Sequence, residues 1–227
     1  LGASVALGDE LVRHPDVLGD VLDEATPLGV DPGAVRAELL RAVGADPSAA
    51  VPVALVGALT ASGSREAASS ADLASATDAM RRAYRRRLAR IAARDLASPS
   101  PEDVMPAVSA ALSDLAAAAL EAALAIARAA LPGHGAGTRL AVVAMGKCGA
   151  RELNYVSDVD VIHVAEPVDG GDETVALQDG ARLAAALARI CAQPSGEPPL
   201  WTVDAALRPE GKDGPLVRTV ASHRAYY

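Results

Sequence analysis

The sequence contains no phenylalanine, and only 2% of its 227 residues are aromatic. A core built on large rings is excluded, so burial has to come from aliphatic side chains and from alanine, which occurs 52 times. Alanine favours helix and lets helices approach closely, although each one buries less surface than leucine. Helix content should therefore be high. Cysteine is scarce as well: Cys148 sits in a glycine-rich turn and Cys191 in an Ala-rich segment, without CxxC or His partner spacing. That excludes a disulfide scaffold and fits a reduced, cytoplasmic compartment. The length is sufficient to bury a core without covalent staples, as one large domain or two small ones.

A basic excess is also missing. The net charge of −8 and pI near 5.0 speak against a general nucleic-acid binder, whose footprint is basic, and favour a protein or nucleotide partner. Asp9, Glu10, Arg13 and His14 interrupt the first segment, so no secretory leader is read there. Apolar runs such as Leu115 to Leu120 are short or Ala-dominated, and polar residues break them before the roughly eighteen positions of a membrane span. A soluble protein is expected. The chain opens on Leu1 and stops at Tyr226-Tyr227, where a new helix is expected to start, and it reads as a piece of something longer.

Helical spacing of apolar residues predicts a helix over 2–13, ended by His14-Pro15, and a second from Pro15 toward Glu24. Asp31 is a plausible cap for a helix reaching Val43, and 51–59 is ambiguous between helix and strand. A polar loop or helix start covers 62–70. Over 72–96 the spacing is firmly helical, and Arg81, Arg82, Arg85, Arg86, Arg87, Arg90 and Arg94 crowd that helix; they make either a solvated basic face or a stripe that meets phosphate or a partner. Residues 102–131 read as one or two Ala-rich helices, followed by a flexible Gly133–Gly137 linker.

The pattern then changes to α/β. Leu140 to Met145 is a continuous apolar run that fits a buried strand, Asp158 to Val164 alternates as a second strand, 175–193 is a helix, and Trp201 to Leu207 is a third strand before a Gly/Pro-rich turn. The fold class is α+β: an all-helical region over 1–132, then an α/β region over 138–227.

Asp158 and Asp160 stand two apart on a strand, so both carboxylates leave the same face. Unpaired carboxylates this close repel unless a cation lies between them, and Mg²⁺ suits such a pair because it keeps sites for water and phosphate. Two ions would bracket the attacking and leaving oxygens of an in-line displacement. Upstream, Gly146-Lys147-Cys148-Gly149 directly follows a strand, where backbone N–H groups approach phosphate and Lys147 can neutralise its charge. The spacing is neither that of a P-loop nor GxGxxG.

The order strand, Gly-x-x-Gly, Ser-Asp-x-Asp on a strand, then a strand with a lone Asp204 resembles the polymerase-beta-like nucleotidyltransferase superfamily. The string from Ala144 to Ile162, with Leu207 to Val217 downstream, is similar to the glutamine synthetase adenylyltransferase family, whose members are bifunctional with two related nucleotidyltransferase halves. Tyr84 to Leu96 and Leu112 to Ala116 match its pattern too, so the likeness covers nearly the whole chain. Asn154 in Glu-Leu-Asn-Tyr-x-Ser-Asp resembles the N-terminal, adenylyl-removing half, which cleaves AMP from the modified tyrosine of glutamine synthetase with phosphate and releases ADP.

This resemblance implies that Asp158, Asp160 and Asp204 are catalytic and hold two Mg²⁺ ions, Asp204 alternatively acting as base. It further implies that Gly146, Lys147 and Gly149 hold phosphate with help from Ser157, and that Arg208 is either a phosphate contact or part of a structural ion pair. Glu152 and Asn154 shape the turn, His163 packs, and Lys212 is solvated. Ala150 departs from the family, which often has glycine there; alanine fits unless the position needs positive φ. The implied partners are glutamine synthetase, a nucleotide (ADP or ATP), phosphate and a signalling protein of the PII type, with no nucleic acid and no membrane. Two other readings stay open: the adenylylating half, which uses ATP, and an inactive palm serving as a regulatory binding module.

Overall fold

The computed structural model describes residues 4–22, 28–57, 68–133 and 136–227. Its elements are α1 (Val5–Arg13), α2 (Val17–Leu22), α3 (Pro32–Ala42), α4 (Ser70–Ala97), α5 (Pro101–Ala130), β1 (Thr138–Ala144), α6 (Gly146–Gly149), β2 (Val159–Pro167), α7 (Glu173–Ala192), β3 (Val203–Asp204), β4 (Val217–Arg218) and α8 (Val220–Tyr226). The fold is α+β. Local chemistry sets several of these ends: Asp31 accepts the Ala34 amide at the start of α3, and Ser69 and Asp72 form a reciprocal capping box on α4. Residues 51–57, ambiguous in sequence, form neither helix nor strand; 58 and 59 lie outside the described residues, as do 62–67 of the polar segment.

Helix α5 is a single 30-residue helix and the centre of the core. By length and composition it would suffice to cross a membrane, with a window of mean hydropathy 1.7, contrary to the expectation that polar residues interrupt every such run. However, 72% of that window is buried inside the protein. Leu115, Ala119, Ala122, Ala123 and Ile126 are completely enclosed, and the same core cluster continues through Val159, Val161, Leu183 and Leu187. The hydrophobic core therefore crosses from the helical segment into the α/β segment. Small alanines make such close packing possible, which is why a chain without phenylalanine can still fill its interior.

Most arginines of α4 are engaged within the fold, although Arg82 stays exposed. Arg81 is fully buried and donates to the carbonyls of Ile190, Gln193 and Glu197 at 2.6–2.7 Å. Arg85 donates to the carbonyls of Pro198 and Pro199, and Arg82 pairs with Glu197. On another side Arg86 and Arg90 grip Asp20 of α2, while Arg87 pairs with Glu38 of α3. The sequence shows the charges but not their acidic and carbonyl partners, which lie up to 116 residues away.

Four strands form the sheet. β1 runs antiparallel to β2, with Val143 opposite Ile162. On the other edge of β2, β3 and β4 lie parallel in tandem: Asp160 is level with Asp204 and Val164 with Arg218. Alternation divides β2 into Val159, Val161, His163 and Ala165, which are buried against helices, and Asp160, Ile162 and Val164 on a more open face. β1 is not the fully buried strand its apolar run suggests, because it lies at the sheet edge and Val143 on the open side is 41% exposed.

Candidate active site

Asp158 precedes β2 by one residue, Asp160 lies within it, and Asp204 ends β3 directly beside Asp160. One carboxylate oxygen from each can be chosen so that all three lie within 4.8 Å of one another. The sheet thus places the third carboxylate on the same side as the first two. Burial pushes the Asp160 carboxyl above the usual range, and the neighbouring charges of Asp158 and Asp204 add to this while Lys147 opposes it. Three mutually repelling oxygen donors, partly withdrawn from water, form a donor set suited to hard divalent cations. Asp204 is also held from behind: its Oδ1 accepts the Ala206 amide at 2.7 Å. That bond turns the chain, so β3 covers two residues rather than the seven its sequence suggests.

The glycine turn is a short helical segment, Gly146–Gly149, whose first amides have no partner within the helix. Met145 fixes its start by donating to the Asp160 carbonyl at 2.8 Å, and Gly149 returns a bond to the Met145 carbonyl at 2.8 Å. Gly146 has φ +50°, and a Cβ there would strike the Asp160 carboxylate. At Gly149 a Cβ would meet the Ala144 carbonyl at 2.5 Å. These glycines are required by the close approach of the turn to β1 and β2. Lys147 is exposed and contributes charge beside Asp160. Ala150 has φ −77°, so the departure from glycine costs nothing there. Positive φ falls instead on Arg151, at 62°.

The segment joining the turn to Asp158 is tied to the long helices. Arg151 forms a two-pronged pair with Asp114 of α5 at 2.5 and 2.8 Å. The Leu153 amide donates to Ser113 Oγ at 3.3 Å, and the Tyr155 hydroxyl donates to Asp95 of α4 at 2.8 Å. Burial, reinforced by Asp95, raises the Tyr155 phenol. These residues were not among those singled out for the site. Their signal in the sequence is the family pattern, which covers Leu112–Ala116, the end of the 84–96 helix and the Ala144–Ile162 string. Ser157 is half-buried beside Asp158, and Glu152 closes the turn through its amide to the Lys147 carbonyl at 2.7 Å, while Asn154 is exposed.

Among the described residues, Arg208 is bound by carbonyls and by no carboxylate. It donates to the carbonyls of Ala205, Lys212 and Gly214 at 2.7–3.1 Å, which rigidifies the loop after Asp204. Lys212 is exposed. His163 packs in the core at 2% exposure, with neither ring nitrogen hydrogen-bonded, and burial with the nearby Arg208 charge lowers its pKa to about 4. Its side chain leaves β2 on the face opposite Asp160. Cys148 and Cys191 are buried and free.

The family model described as glutamate-ammonia ligase adenylyltransferase matches residues 1–227. The bifunctional glutamine synthetase adenylyltransferase/adenylyl-removing enzyme of Cutibacterium acnes is 46% identical across all of this chain, which covers 21% of that protein. The enzyme of the same name from Streptomyces avermitilis is 45% identical across all of this chain, covering 19% of its own length. That of Streptomyces coelicolor is 56% identical over 68% of this chain and 16% of its own length. The chain thus spans about a fifth of the curated relatives that it matches end to end.

Proposed function

Because the chain belongs to the glutamate-ammonia ligase adenylyltransferase family, we propose that it carries the metal-dependent site that removes AMP from the adenylylated tyrosine of glutamine synthetase by phosphorolysis. The observation that carries this reading is the meeting of Asp158, Asp160 and Asp204 within 4.8 Å beside the glycine turn. Asp158, Asp160 and Asp204 would hold Mg²⁺, with two ions fitting three carboxylates. Bound Mg²⁺ supplies Lewis-acid polarisation of phosphoryl oxygens and shields the charge of an anionic nucleophile.

The chain's own residues would then do the following. The opening amides of the Gly146–Gly149 turn and the Lys147 ammonium orient a phosphoryl group and offset its charge. Burial first, and then the charges of Asp158 and Asp204, raise the affinity of Asp160 for protons, and a bound cation would offset the repulsion among the three acids. The Ala206 amide fixes the rotamer of Asp204, which leaves its other oxygen for cation or nucleophile. The balance of the reaction is displacement at the α-phosphorus: phosphate oxygen forms the new P–O bond, the tyrosyl oxygen leaves with a proton, and ADP and unmodified synthetase result. Asn154 supports the adenylyl-removing assignment by its likeness to the N-terminal half. The adenylylating half is the second reading, since the relatives are named for both activities. An inactive regulatory palm is disfavoured by the convergence of all three acids. A PII-type regulator and a cytoplasmic setting complete the proposal.

The test supplies adenylylated glutamine synthetase with phosphate and Mg²⁺, and separately unmodified synthetase with ATP and Mg²⁺. ADP release in the first mixture only, abolished by the double variant Asp158→Asn, Asp160→Asn, is the expected result. AMP incorporation in the second mixture alone would move the assignment to the adenylylating half, and turnover undiminished in the double variant would refute the site.

A further inference from the structure

Arg151 adopts φ 62° without being glycine, five positions after the phosphate-facing turn opens. L side chains avoid this conformation, and it persists where surrounding contacts enforce it. Here α5 does so from two adjacent residues. The Asp114 carboxylate, only 13% exposed, receives both Nη1 and Nη2 of Arg151. Ser113 accepts the Leu153 amide through Oγ, and its carbonyl meets Cys148 Sγ at 4.0 Å. Ser113 Oγ is itself aimed by donating to the Ser109 carbonyl at 2.9 Å. The peptide is therefore held before the strained residue, at it and after it, all from one turn of a rigid core helix.

We infer that Asp114 and Ser113 are positioning residues for the Gly146–Gly149 turn: they fix the direction of its amides without touching a nucleotide. The inference rests on reading that turn as a phosphate cradle. A fork of two parallel N–H to oxygen bonds fixes orientation as well as distance, which a single ammonium cannot do. Asp160 and Asp204 stand outside this control, because the ladder of β2 with β1 and β3 sets them.

That separation defines the experiment. Asp114→Asn keeps the shape of the side chain and removes its charge, Asp114→Glu keeps the charge, and Arg151→Gly keeps positive φ while deleting the fork from its 53% exposed side. Amide hydrogen exchange, Mg·ADP binding by calorimetry and binding of Mn²⁺ alone by electron paramagnetic resonance are measured on the 227-residue chain. Asp114→Asn and Arg151→Gly should each accelerate exchange over 146–153 by more than about tenfold and weaken Mg·ADP about tenfold, as expected for loss of a charge-assisted pair. Mn²⁺ affinity should stay within about twofold because Asp160 and Asp204 do not move. Asp114→Glu should recover part of the ADP affinity. Unchanged exchange in Arg151→Gly, or an equal loss of ADP and Mn²⁺ binding, overturns the inference. If the unaltered chain binds neither ligand, the functional reading fails by itself, while the exchange data still decide whether the fork holds the turn.

Discussion

Replacing Asp160 by Asn should stabilise the cation-free chain while removing its response to Mg²⁺. The carboxylate oxygens of Asp158, Asp160 and Asp204 lie within 4.8 Å of each other. At that separation each like-charged pair costs about 1 kcal/mol in water-like surroundings and about 3.5 kcal/mol at an effective dielectric constant of about 20. Asp158 is exposed and the other two are half-buried, so the lower figure carries more weight. Asp160 faces both other acids, and Lys147 offsets part of the repulsion. A net gain of about 1–2 kcal/mol follows, or about 2–8 °C in Tm for a domain of this size. The substitution leaves the Met145 amide bonded to the Asp160 backbone carbonyl, so the turn keeps its anchor. Thermal melts followed by circular dichroism, in EDTA and at increasing Mg²⁺, provide the assay. The unaltered chain should gain Tm with Mg²⁺ by mass action, and the variant should begin higher and gain little. A variant that melts lower in EDTA, or that responds to Mg²⁺ as the unaltered chain does, refutes the argument that these acids form a cation site under electrostatic strain.

Two further outcomes follow from the interior. His163 titrates near 4 when folded, against 6.5 for an unperturbed imidazole, so the unfolded chain binds the extra proton between those values. Its contribution to stability is present above pH 6.5 and is lost as pH falls through 4, amounting to about 3 kcal/mol. Urea unfolding of His163→Leu should show a flatter dependence across that window, and parallel curves for the two proteins would contradict it. Arg81→Met should destabilise by about 3 kcal/mol or more, since it leaves buried carbonyls of 190–197 without their donor. The same urea midpoints check this, and a loss below about 1 kcal/mol would show that water replaces the guanidinium.

Features set by neighbours in sequence were legible from the sequence. Asp31 begins a helix because its side chain reaches the amide three positions on. The shared face of Asp158 and Asp160 follows from strand alternation, whereas the part of Asp204 is implied by the family resemblance and not by any spacing. What escaped depends on distant partners. The arginines of α4 look like surface charge until Glu10, Asp20, Glu38 and the 190–199 carbonyls fold against them. β4 comprises only Val217 and Arg218, too short to show alternation, and exists because β2 offers an open edge beyond β3. Arg208 resembled a phosphate ligand by its nearness to Asp204, yet nearness in sequence also lets it bind the carbonyls of its own loop. Positive φ at Arg151 has no local signature, because arginine is an unlikely choice for it and the compensating carboxylate lies 37 residues upstream.

The same long-range contacts explain why a helical segment precedes this sheet. The ladder that sets Asp204 is only two residues long, and the chain leading into it is braced from elsewhere in the fold. The approach to β3 is accordingly bound to α4: Arg81 and Arg85 hold 190–199, Trp201 Nε1 donates to the Tyr84 hydroxyl at 3.1 Å, and the Glu197 amide donates to Asp78 at 2.9 Å. The segment before Asp158 is tied to the end of that helix by Tyr155 and Asp95, and the glycine turn is tied to α5. Two long helices that pack against each other through the core thus reach each part of the site from behind. The open face of the sheet is left to the acids and the glycine turn, and the buried arginines and alanine-rich packing of the first half are structural requirements of the chemistry proposed for the second.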